Sequence, residues 1–288
     1  MHTSTRNQIL LWWDCTHRDF PWRETRDPWS ILVSEFMLQQ TQAKRVIPKY
    51  ETFLQHFPTA TACSQTSAAK VIELWSGLGY NRRALYLHAT AQQIATTHDG
   101  ELPSTLQELL LLTGVGEYTA RAILCFAFEK DVGVVDVNVK RVLSRFVGAY
   151  LLPGEAQRIA NANVPNNEGW RWNQAMIELG ATICTSRNPK CSQCPAKQEC
   201  SWVNNAALPD PSRKPKTPLM KSKPFEGSDR QGRGKFVEKL RERDIPNHEI
   251  AEVLGWPNDQ VRCERVIGRL IQDGLVVKNE AGDFSLPK

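Results

Sequence analysis

Apolar residues recur at helical spacing through the first two-thirds of the chain. The segment 27–57 ends near Pro58, and its regularly spaced apolar positions are Ile31, Leu32, Phe36, Met37, Val46 and Ile47. Further short helical patterns, separated by glycine or proline, occur in "SAAKVIELWSGLG", "RRALYLHATAQQIATTH", "TLQELLLLTGVG", "EYTARAILCFAF" and "NVKRVLSRFVGAY". No convincing strand alternation interrupts them. Residues 1 to about 204 therefore predict a mainly α domain of many short helices.

The pattern changes after about residue 204. Residues 205–234 are rich in Pro, Lys and Arg, which predicts a basic linker; it is either a solvated tether or a segment that contacts DNA phosphates. From about Lys235 the sequence predicts three helices, followed by two short strands around a glycine turn. This order is typical of a winged-helix-like α+β module over 235–288. Such modules bind DNA or dock proteins.

Composition narrows the class of protein. A chain of 288 residues has room for about two domains, and its net charge of +5 is compatible with nucleic acid binding. We find no apolar run long enough to cross a bilayer and no signal peptide, so we expect a cytoplasmic, nucleoid-associated protein with no membrane partner. Each motif occurs once and no exposed heptad pattern is present, which favours a monomer.

Cysteine spacing points to a metal centre. Four cysteines follow the spacing C-x6-C-x2-C-x5-C, and they are Cys184, Cys191, Cys194 and Cys200. A site with four cysteine ligands holds tetrahedral zinc or an iron–sulfur cluster. Only one CxxC pair is present, which favours one 4Fe–4S cluster over zinc, and either over disulfides. The cysteines outside this motif are predicted to be buried thiols, and they are Cys15, Cys63, Cys125 and Cys263.

The segment "LTGVGEYTA" predicts a tight turn between two helices. Gly114 and Gly116 flank Val115, and glycine permits the sharp change of direction that such a turn needs. The second helix would present unpaired backbone N–H groups to a phosphate, without reading base identity. A packing turn is the alternative, but the whole pattern favours a helix–hairpin–helix.

Several motifs in order give a family resemblance over about residues 10–204. They are "RDFPWR", "SEFMLQQTQ", "GLGYNRRA", "LTGVGEYTARAI", "VVDVNVKRVLSR" and "WNQAMIELGATICT". With the cysteine motif, they resemble the endonuclease III superfamily, and within it the MutY-type adenine DNA glycosylases. The resemblance implies a two-lobed helical fold: a six-helix barrel lobe with the helix–hairpin–helix over 28–133, and an iron–sulfur lobe from 1–27 and 134–204. It also implies that the partner is double-stranded DNA containing a mispaired or lesion-paired base.

The candidate catalytic residues are two carboxylates and two neighbours. Glu35 lies in the apolar segment "ILVSEFML", where burial would raise its pKa and keep it a proton donor; pairing with an arginine is the structural alternative. The resemblance implies that Glu35 protonates N7 of adenine. Asp136 is either a helix N-cap, or a carboxylate facing a cleft, or both; in the family this aspartate stabilises the oxocarbenium-like sugar. Asn138 matches the family's asparagine. Tyr118 stands where lyase members carry lysine, which implies a monofunctional glycosylase.

The resemblance also implies the contacts with DNA. Gln40 and Tyr80, which we expect on helical surfaces, match the intercalating positions that fill the gap left by a flipped base. The adenine pocket would be formed by Trp22, Arg23 and Gln174, with Arg18 as a weaker candidate. The candidates for phosphate contact are Lys140, with Arg141 and Arg145 on the same helix, and Arg187 and Lys190 between the cysteines. The cluster is expected to hold that loop rather than to take part in base release.

The chain departs from the family at its C-terminus. Many members end in a Nudix-like domain that reads 8-oxoguanine, and here a shorter winged-helix-like module takes its place. A thymine or uracil mismatch glycosylase is therefore the alternative, and a non-catalytic cluster-bearing DNA-binding protein is a further one. The segments "SEFMLQQTQ" and "GLGY" favour the adenine-type enzyme.

Overall fold

The computed structural model describes residues 1–205, 207, 209–213, 224–280 and 282–288. The predicted mainly α fold with a small C-terminal α+β module is confirmed. The helices are α1 Thr3–Thr16, α2 Pro28–Leu38, α3 Ala43–His56, α4 Ala60–Ser64, α5 Ala68–Leu74, α6 Arg82–Thr97, α7 Leu106–Leu111, α8 Glu117–Phe126, α9 Val137–Val147, α10 Pro153–Asn163, α11 Gly169–Thr182, α12 Asp229–Leu240, α13 Ile250–Leu254 and α14 Gln260–Gln272. The strands are β1 Val277–Lys278 and β2 Phe284–Ser285, and short 3₁₀ turns occupy Pro21–Arg23, Cys191–Gln193, Lys197–Glu199 and Asn247–Glu249.

The chain forms two compact units. The first unit comprises Met1–Ile31, Ser104–Leu110 and Val115–Pro218, and the second comprises Leu32–Pro103, Leu111–Gly114 and Leu219–Lys288. The C-terminal module therefore belongs to the same unit as α3 to α6. The lobe boundaries implied by the family resemblance remain a prediction.

The core of the first unit lies where α1, α9 and α11 pack together. Successive turns of these helices bury large side chains, because each helix has one apolar face. The buried side chains are Ile9, Leu10 and Trp13 of α1, Val139, Val142 and Leu143 of α9, and Trp172, Met176 and Leu179 of α11. This packing fixes the N-terminus of α9 and the middle of α11, where several candidate site residues lie.

The second unit contains a break that the helical pattern did not predict. The segment 27–57 forms two helices, α2 and α3, separated by a turn at Gln39–Gln42. The carbonyl groups at the end of α2 find their donor elsewhere, because the buried Arg83 side chain donates to the carbonyls of Phe36 and Met37 over 2.7 and 3.0 Å. A helix can end where another group satisfies its last carbonyls, so the break depends on a residue more than forty positions away.

The C-terminal module begins earlier than predicted. Helix α12 starts at Asp229, inside the segment predicted as linker, because the Ser228 side chain accepts a hydrogen bond from the Gln231 N–H and caps the helix. The Trp256 ring lies directly against Gly232, where a larger residue would collide with it. Strands β1 and β2 pair antiparallel, which completes three helices and a hairpin. The central part of the predicted linker, 214–223, lies outside the described residues, as do positions 206 and 208.

None of the helices in the described part of the chain combines the length and apolar character needed to cross a bilayer.

Candidate nucleic-acid and base-excision site

The glycine-flanked turn joins α7 and α8 as the sequence predicts. Gly114 has φ +76°, and a Cβ there would lie 2.8 Å from Cβ of Tyr86 and 3.2 Å from the Phe36 ring. Val115 is buried, whereas Gly116 is exposed and is the N-cap of α8. The first N–H groups of α8 therefore begin at a position without a side chain, which is the geometry of an anion-binding helix terminus.

The two candidate intercalating residues share an unusual backbone conformation. Gln40 has φ +56° and Tyr80 has φ +47°, and both are exposed. They lie in turns before α3 and α6, not on helical surfaces as we expected, because the backbone reverses at each position. A positive φ in a residue other than glycine costs on the order of 1–3 kcal/mol and is concentrated at functional sites. Gln40 and Tyr80 line one cavity of the second unit.

Arg83 holds the two turns together. Besides the carbonyls at the end of α2, its guanidinium donates to the carbonyls of Leu78 and Gly79 over 3.3 and 3.1 Å, and to the Thr41 hydroxyl over 3.0 Å. Burial lowers the pKa of Arg83 to about 10, which still leaves the guanidinium charged at neutral pH. One buried cation therefore fixes both exposed turns.

Asp136 is the N-cap of α9, one of the two alternatives left by the sequence. Its Oδ1 accepts hydrogen bonds from the backbone N–H groups of Asn138 and Val139 over 2.9 and 2.7 Å. Its Oδ2 accepts one from Nδ2 of Asn138 over 2.7 Å. Burial raises the pKa of Asp136 above its usual value, although the three hydrogen bonds act in the opposite direction. The carboxylate is thus held in one orientation by neutral donors.

Asn138 continues this network toward the cysteine loop. Its Oδ1 accepts a hydrogen bond from Arg141 over 2.8 Å, and Arg141 also donates to the carbonyls of Gly180 and Cys184, each over 2.7 Å. Gly180 lets α11 approach α9, since a Cβ there would lie 2.7 Å from Cβ of Asn138. The orientation of the Asp136 carboxylate therefore depends on contacts from α11 and the cysteine loop.

Two of the arginines considered for phosphate contact have another role. Arg141 uses Nε and Nη2 in the network just described, and its contact with phosphate stays a prediction. Arg145 is 1% exposed; it donates to the Thr185 carbonyl over 2.7 Å and pairs with Asp210 at 2.7 Å. The apolar face of α9 places these side chains inward, where internal acceptors satisfy them. Lys140 is half-buried, with its ammonium 4.7 Å from the centre of the Tyr150 ring.

The candidate pocket residues meet on one buried acid. Glu178 of α11 has no exposed surface, and its carboxylate accepts from Arg18 over 2.5 Å and from Arg23 over 2.8 Å. Arg23 also donates to Oε1 of Gln174 over 2.9 Å. Burial raises the pKa of Glu178, but the hydrogen bonds from Arg18 and Arg23 outweigh it and hold the pKa below its usual value. Trp22 is buried and stacks on Phe20.

The four motif cysteines lie around one apolar cavity. Arg145 also lines it and donates to Sγ of Cys184 over 3.4 Å. The other lining residues are Ile183, Lys197, Trp202 and Val203. Thiolates surrounded by apolar side chains, with a guanidinium donating to one sulfur, suit an all-cysteine cluster. Among the described residues, no three or more His, Cys, Asp or Glu side chains converge on a point that would hold a single metal ion. Arg187 and Lys190 are exposed on this loop.

Of the cysteines outside the motif, Cys63, Cys125 and Cys263 are buried as predicted. Cys15 is exposed, so the prediction is wrong for it. It lies near the end of α1, on the face opposite the side chains that this helix buries in the core.

Comparison with known proteins identifies the family. Residues 33–163 match the HhH-GPD superfamily of base excision DNA repair proteins. An adenine DNA glycosylase of Mycobacterium tuberculosis is 39% identical over 294 aligned residues, which cover 99% of this chain and 94% of that protein. The chain belongs to the MutY-type adenine DNA glycosylases. The match to this glycosylase extends through the C-terminal module, so the relative shares that module's sequence as well.

Solved structures of the superfamily have the same fold. A thermostable thymine-DNA glycosylase superposes with a TM-score of 0.67 at 32% identity, over 69% of this chain and 94% of that one. An endonuclease III in a non-covalent complex with DNA superposes with a TM-score of 0.62 at 20% identity, over 71% of this chain and 98% of that one. The predicted superfamily is therefore confirmed.

Sequence reasoning missed three supporting residues of this family member. Arg83, Glu178 and Gly180 lie within the quoted motifs "GLGYNRRA" and "WNQAMIELGATICT", but no role was assigned to them. A buried acid next to an apolar helix face, as in "MIELG", signals a partner of opposite charge. The sequence does not say which of its arginines that partner is.

The remaining two candidate catalytic residues lie on helices. Glu35 is 6% exposed on α2, and Tyr118 lies half-buried in the first turn of α8.

Proposed function

We propose that the chain is a monofunctional DNA glycosylase of base excision repair that removes mispaired adenine by hydrolysis. The observation that carries the proposal is the 39% identity to an adenine DNA glycosylase along almost the whole of both chains. The ordered Asp136 carboxylate and the paired turns of Gln40 and Tyr80 support it, because base release needs a charge stabiliser and a wedge.

In the proposed reaction, Glu35 supplies the proton. Glu35 is 6% exposed on the apolar helix α2, so a proton donor at this position is shielded from bulk water. The proton passes from Glu35 to N7 of adenine, and the electron pair of the glycosidic bond leaves with the base. Positive charge then develops on the deoxyribose.

The Asp136 carboxylate stabilises that charge in our proposal. Its position is held by two backbone N–H groups and by Asn138, so no reorganisation is needed as the charge develops. Asn138 is a positioning residue in this scheme. The oxygen of a water molecule then bonds to C1′ of the sugar, and the proton that water releases restores the acid form of Glu35.

Tyr118 limits the reaction to base release. A phenol has no amine with which to form a Schiff base, so strand cleavage by β-elimination has no nucleophile at this position. We therefore propose little or no lyase activity.

Cys184, Cys191, Cys194 and Cys200 would hold one 4Fe–4S cluster. When bound, the cluster would cross-link the loop that contains Arg187 and Lys190. Hydrolysis of the glycosidic bond itself requires no electron transfer. Purified protein should contain about four irons and four sulfides per chain on this assignment. Stoichiometric zinc instead would contradict it.

The proposed partner is double-stranded DNA with adenine opposite 8-oxoguanine or guanine, bound by a monomer on the chromosome in the cytoplasm. Release of thymine or uracil is the second candidate, and the 32% identity to a thymine-DNA glycosylase is the observation that favours it. The identity to the adenine-specific relative is higher and extends over more of the chain.

The decisive experiment is single-turnover base release from duplexes carrying A opposite 8-oxoguanine, A opposite G, T opposite G and U opposite G. We expect adenine release alone. Glu35→Gln should slow release by roughly 10²–10⁴-fold while DNA binding is retained, because the proton donor is lost. Glu51→Gln, at an exposed position of α3, is the matched control. Release of thymine or uracil by the wild-type chain would contradict the proposal.

A further inference from the structure

The C-terminal module is anchored within the second unit by hydrogen bonds to α5 and to the turn before α6. Nε of Arg241 donates to the Ile72 carbonyl over 3.1 Å, and Nη2 donates to Oδ1 of Asn81 over 3.0 Å. The Ala69 N–H donates to the Pro287 carbonyl over 2.8 Å. Asn81 directly follows Tyr80, so the module holds the turn that carries a candidate intercalating residue.

A cavity of about 750 Å³ lies in the second unit between this module and the two turns. One side is formed by the Gln40 and Tyr80 turns, and the other by α12, α14 and Phe225. Its charged lining consists of five arginines and one aspartate, which are Arg45, Arg82, Arg83, Arg230, Arg233 and Asp273. Such a cavity is large enough for a nucleotide-sized group.

The charge that remains in this cavity is positive. Arg82 and Arg233 share the carboxylate of Asp273 at 3.3 and 2.5 Å, so two guanidinium groups face one acid. Arg230 is exposed, and its guanidinium carbon lies 5.1 Å from the centre of the Phe225 ring. Guanidinium groups match phosphate oxygens in charge and geometry, and an adjacent aromatic ring offers a face for stacking.

The helix that usually enters DNA in a winged-helix module, α14, also has two arginines that share one acid. On α14, Arg262 and Arg265 both pair with Asp229, at 2.7 and 3.0 Å. The Arg262 guanidinium also lies 3.8 Å from the centre of the Trp256 ring. Arg262 and Arg265 are therefore paired within the module, and Arg230 and Arg233 of α12 line the cavity beside the Gln40 and Tyr80 turns.

We propose that this cavity is a cleft for a DNA strand, in which Arg230 and Arg233 bind backbone phosphates of the strand that Gln40 and Tyr80 enter. The inference rests on the proposed function and adds to it a binding role for α12. The C-terminal module is then one wall of the DNA-binding surface.

The test compares two double variants of the full chain that each remove two positive charges. Arg230→Ala/Arg233→Ala removes the proposed phosphate contacts. Lys239→Ala/Arg243→Ala removes one half-buried and one exposed cation of the same module, both outside the cavity lining. The dissociation constant for a fluorescein-labelled duplex carrying A opposite 8-oxoguanine is measured by anisotropy over a range of KCl concentrations.

Each lost phosphate contact lowers the slope of log K against log salt by about 0.9. We expect the cavity variant to lose about 1.8 from this slope and the control to change by less than about half of that. Arg230→Lys/Arg233→Lys should restore most of the slope, because the charges return. Equal slopes for the cavity variant and the control would overturn the inference, as would a lysine variant that restores nothing.

Base release by the wild-type chain separates the two proposals. If the wild type releases no adenine, the proposed function fails, whatever the salt slopes are. If it releases adenine and the cavity variant keeps the wild-type slope, only the cleft is refuted.

Discussion

Asp136 and Glu178 are two acids of the same unit with opposite environments. Glu178 is fully buried between the guanidinium groups of Arg18 and Arg23, and its pKa lies below the usual value. Asp136 accepts only from backbone N–H groups and an amide, and its pKa lies above the usual value. Glu178 is therefore a counter-ion that maintains structure, whereas Asp136 forms no ion pair among the described residues and is held by neutral donors. The type of hydrogen-bond donor, a charged guanidinium for Glu178 and neutral groups for Asp136, distinguishes the two acids, and the degree of burial does not.

The largest effect should come from removing the counter-ion. Glu178→Gln leaves Arg23 buried without an anion, so we expect the free energy of unfolding to fall by about 3 kcal/mol. Urea unfolding followed by circular dichroism measures it. Glu168→Gln is the control, because its pair with Arg171 is solvent-exposed and should contribute about 1 kcal/mol or less. Equal stability losses in the two variants would show that Glu178 is not a structural counter-ion.

Replacing Asp136 should affect the rate of base release instead of the stability of the fold. Asparagine is also a good N-cap, so Asp136→Asn should fold normally. Single-turnover adenine release should slow by roughly 10²–10³-fold, because the charge that stabilises the sugar cation is lost. A variant that unfolds more easily but releases adenine at the wild-type rate would reverse the roles assigned to the two acids.

A smaller effect should follow from moving α11 away from α9. In Gly180→Ala the added methyl group would press on Cβ and the backbone of Asn138, at distances of 2.7 to 3.0 Å. We expect a loss of about 1–3 kcal/mol in unfolding free energy, together with slower base release as the Asp136 network shifts. Gly154→Ala in α10 has nothing within 4 Å of the new methyl group and should leave both measurements near the wild-type values or improve stability.

The smallest expected effect is a difference in pH dependence. Glu178 has a folded-state pKa below its unfolded value, so its contribution to stability is present above about pH 4.5 and is lost as the pH falls further. The stability difference between wild type and Glu178→Gln should therefore shrink below that pH. The pKa of Asp136 is raised, so base release should be lost on acidification at a higher pH than for an ordinary aspartate. For Glu178, a stability difference between wild type and Glu178→Gln that stays constant as the pH falls would contradict the assignment.

Local sequence patterns predicted most of the helices and the superfamily. Helices α5, α8 and α9 follow from apolar spacing, and the turn at Gly114 follows from glycine placement. The break between α2 and α3 could not be predicted from such local patterns, because it depends on hydrogen bonds from Arg83, which is distant in sequence. The start of α12 was placed too late, since the packing of Trp256 on Gly232 allows a glycine-containing segment to be helical.

In the candidate site too, some features could be predicted from the sequence and others could not. The grouping of the four motif cysteines and the N-cap role of Asp136 could be predicted, because short-range spacing and helix capping are local properties. The hydrogen-bond partner of each arginine could not be predicted from the sequence. Arg141 and Arg145 face inward, and Arg18 and Arg23 converge on Glu178, because helix packing determines which charged groups meet.

The sequence by itself determined that this protein is a helical base-excision enzyme with a helix–hairpin–helix turn and four clustered cysteines. The helices, the turn and the cysteine grouping rest on periodicity, glycine positions and cysteine spacing, which act over a few residues. The enzyme class rests on the resemblance of the ordered motifs to the family. Only the tertiary structure decided which acid is neutralised, how Arg83 fixes the Gln40 and Tyr80 turns, and where the C-terminal arginines point. Those outcomes depend on contacts between distant segments, whose energies are set by which side chains packing brings within hydrogen-bonding distance.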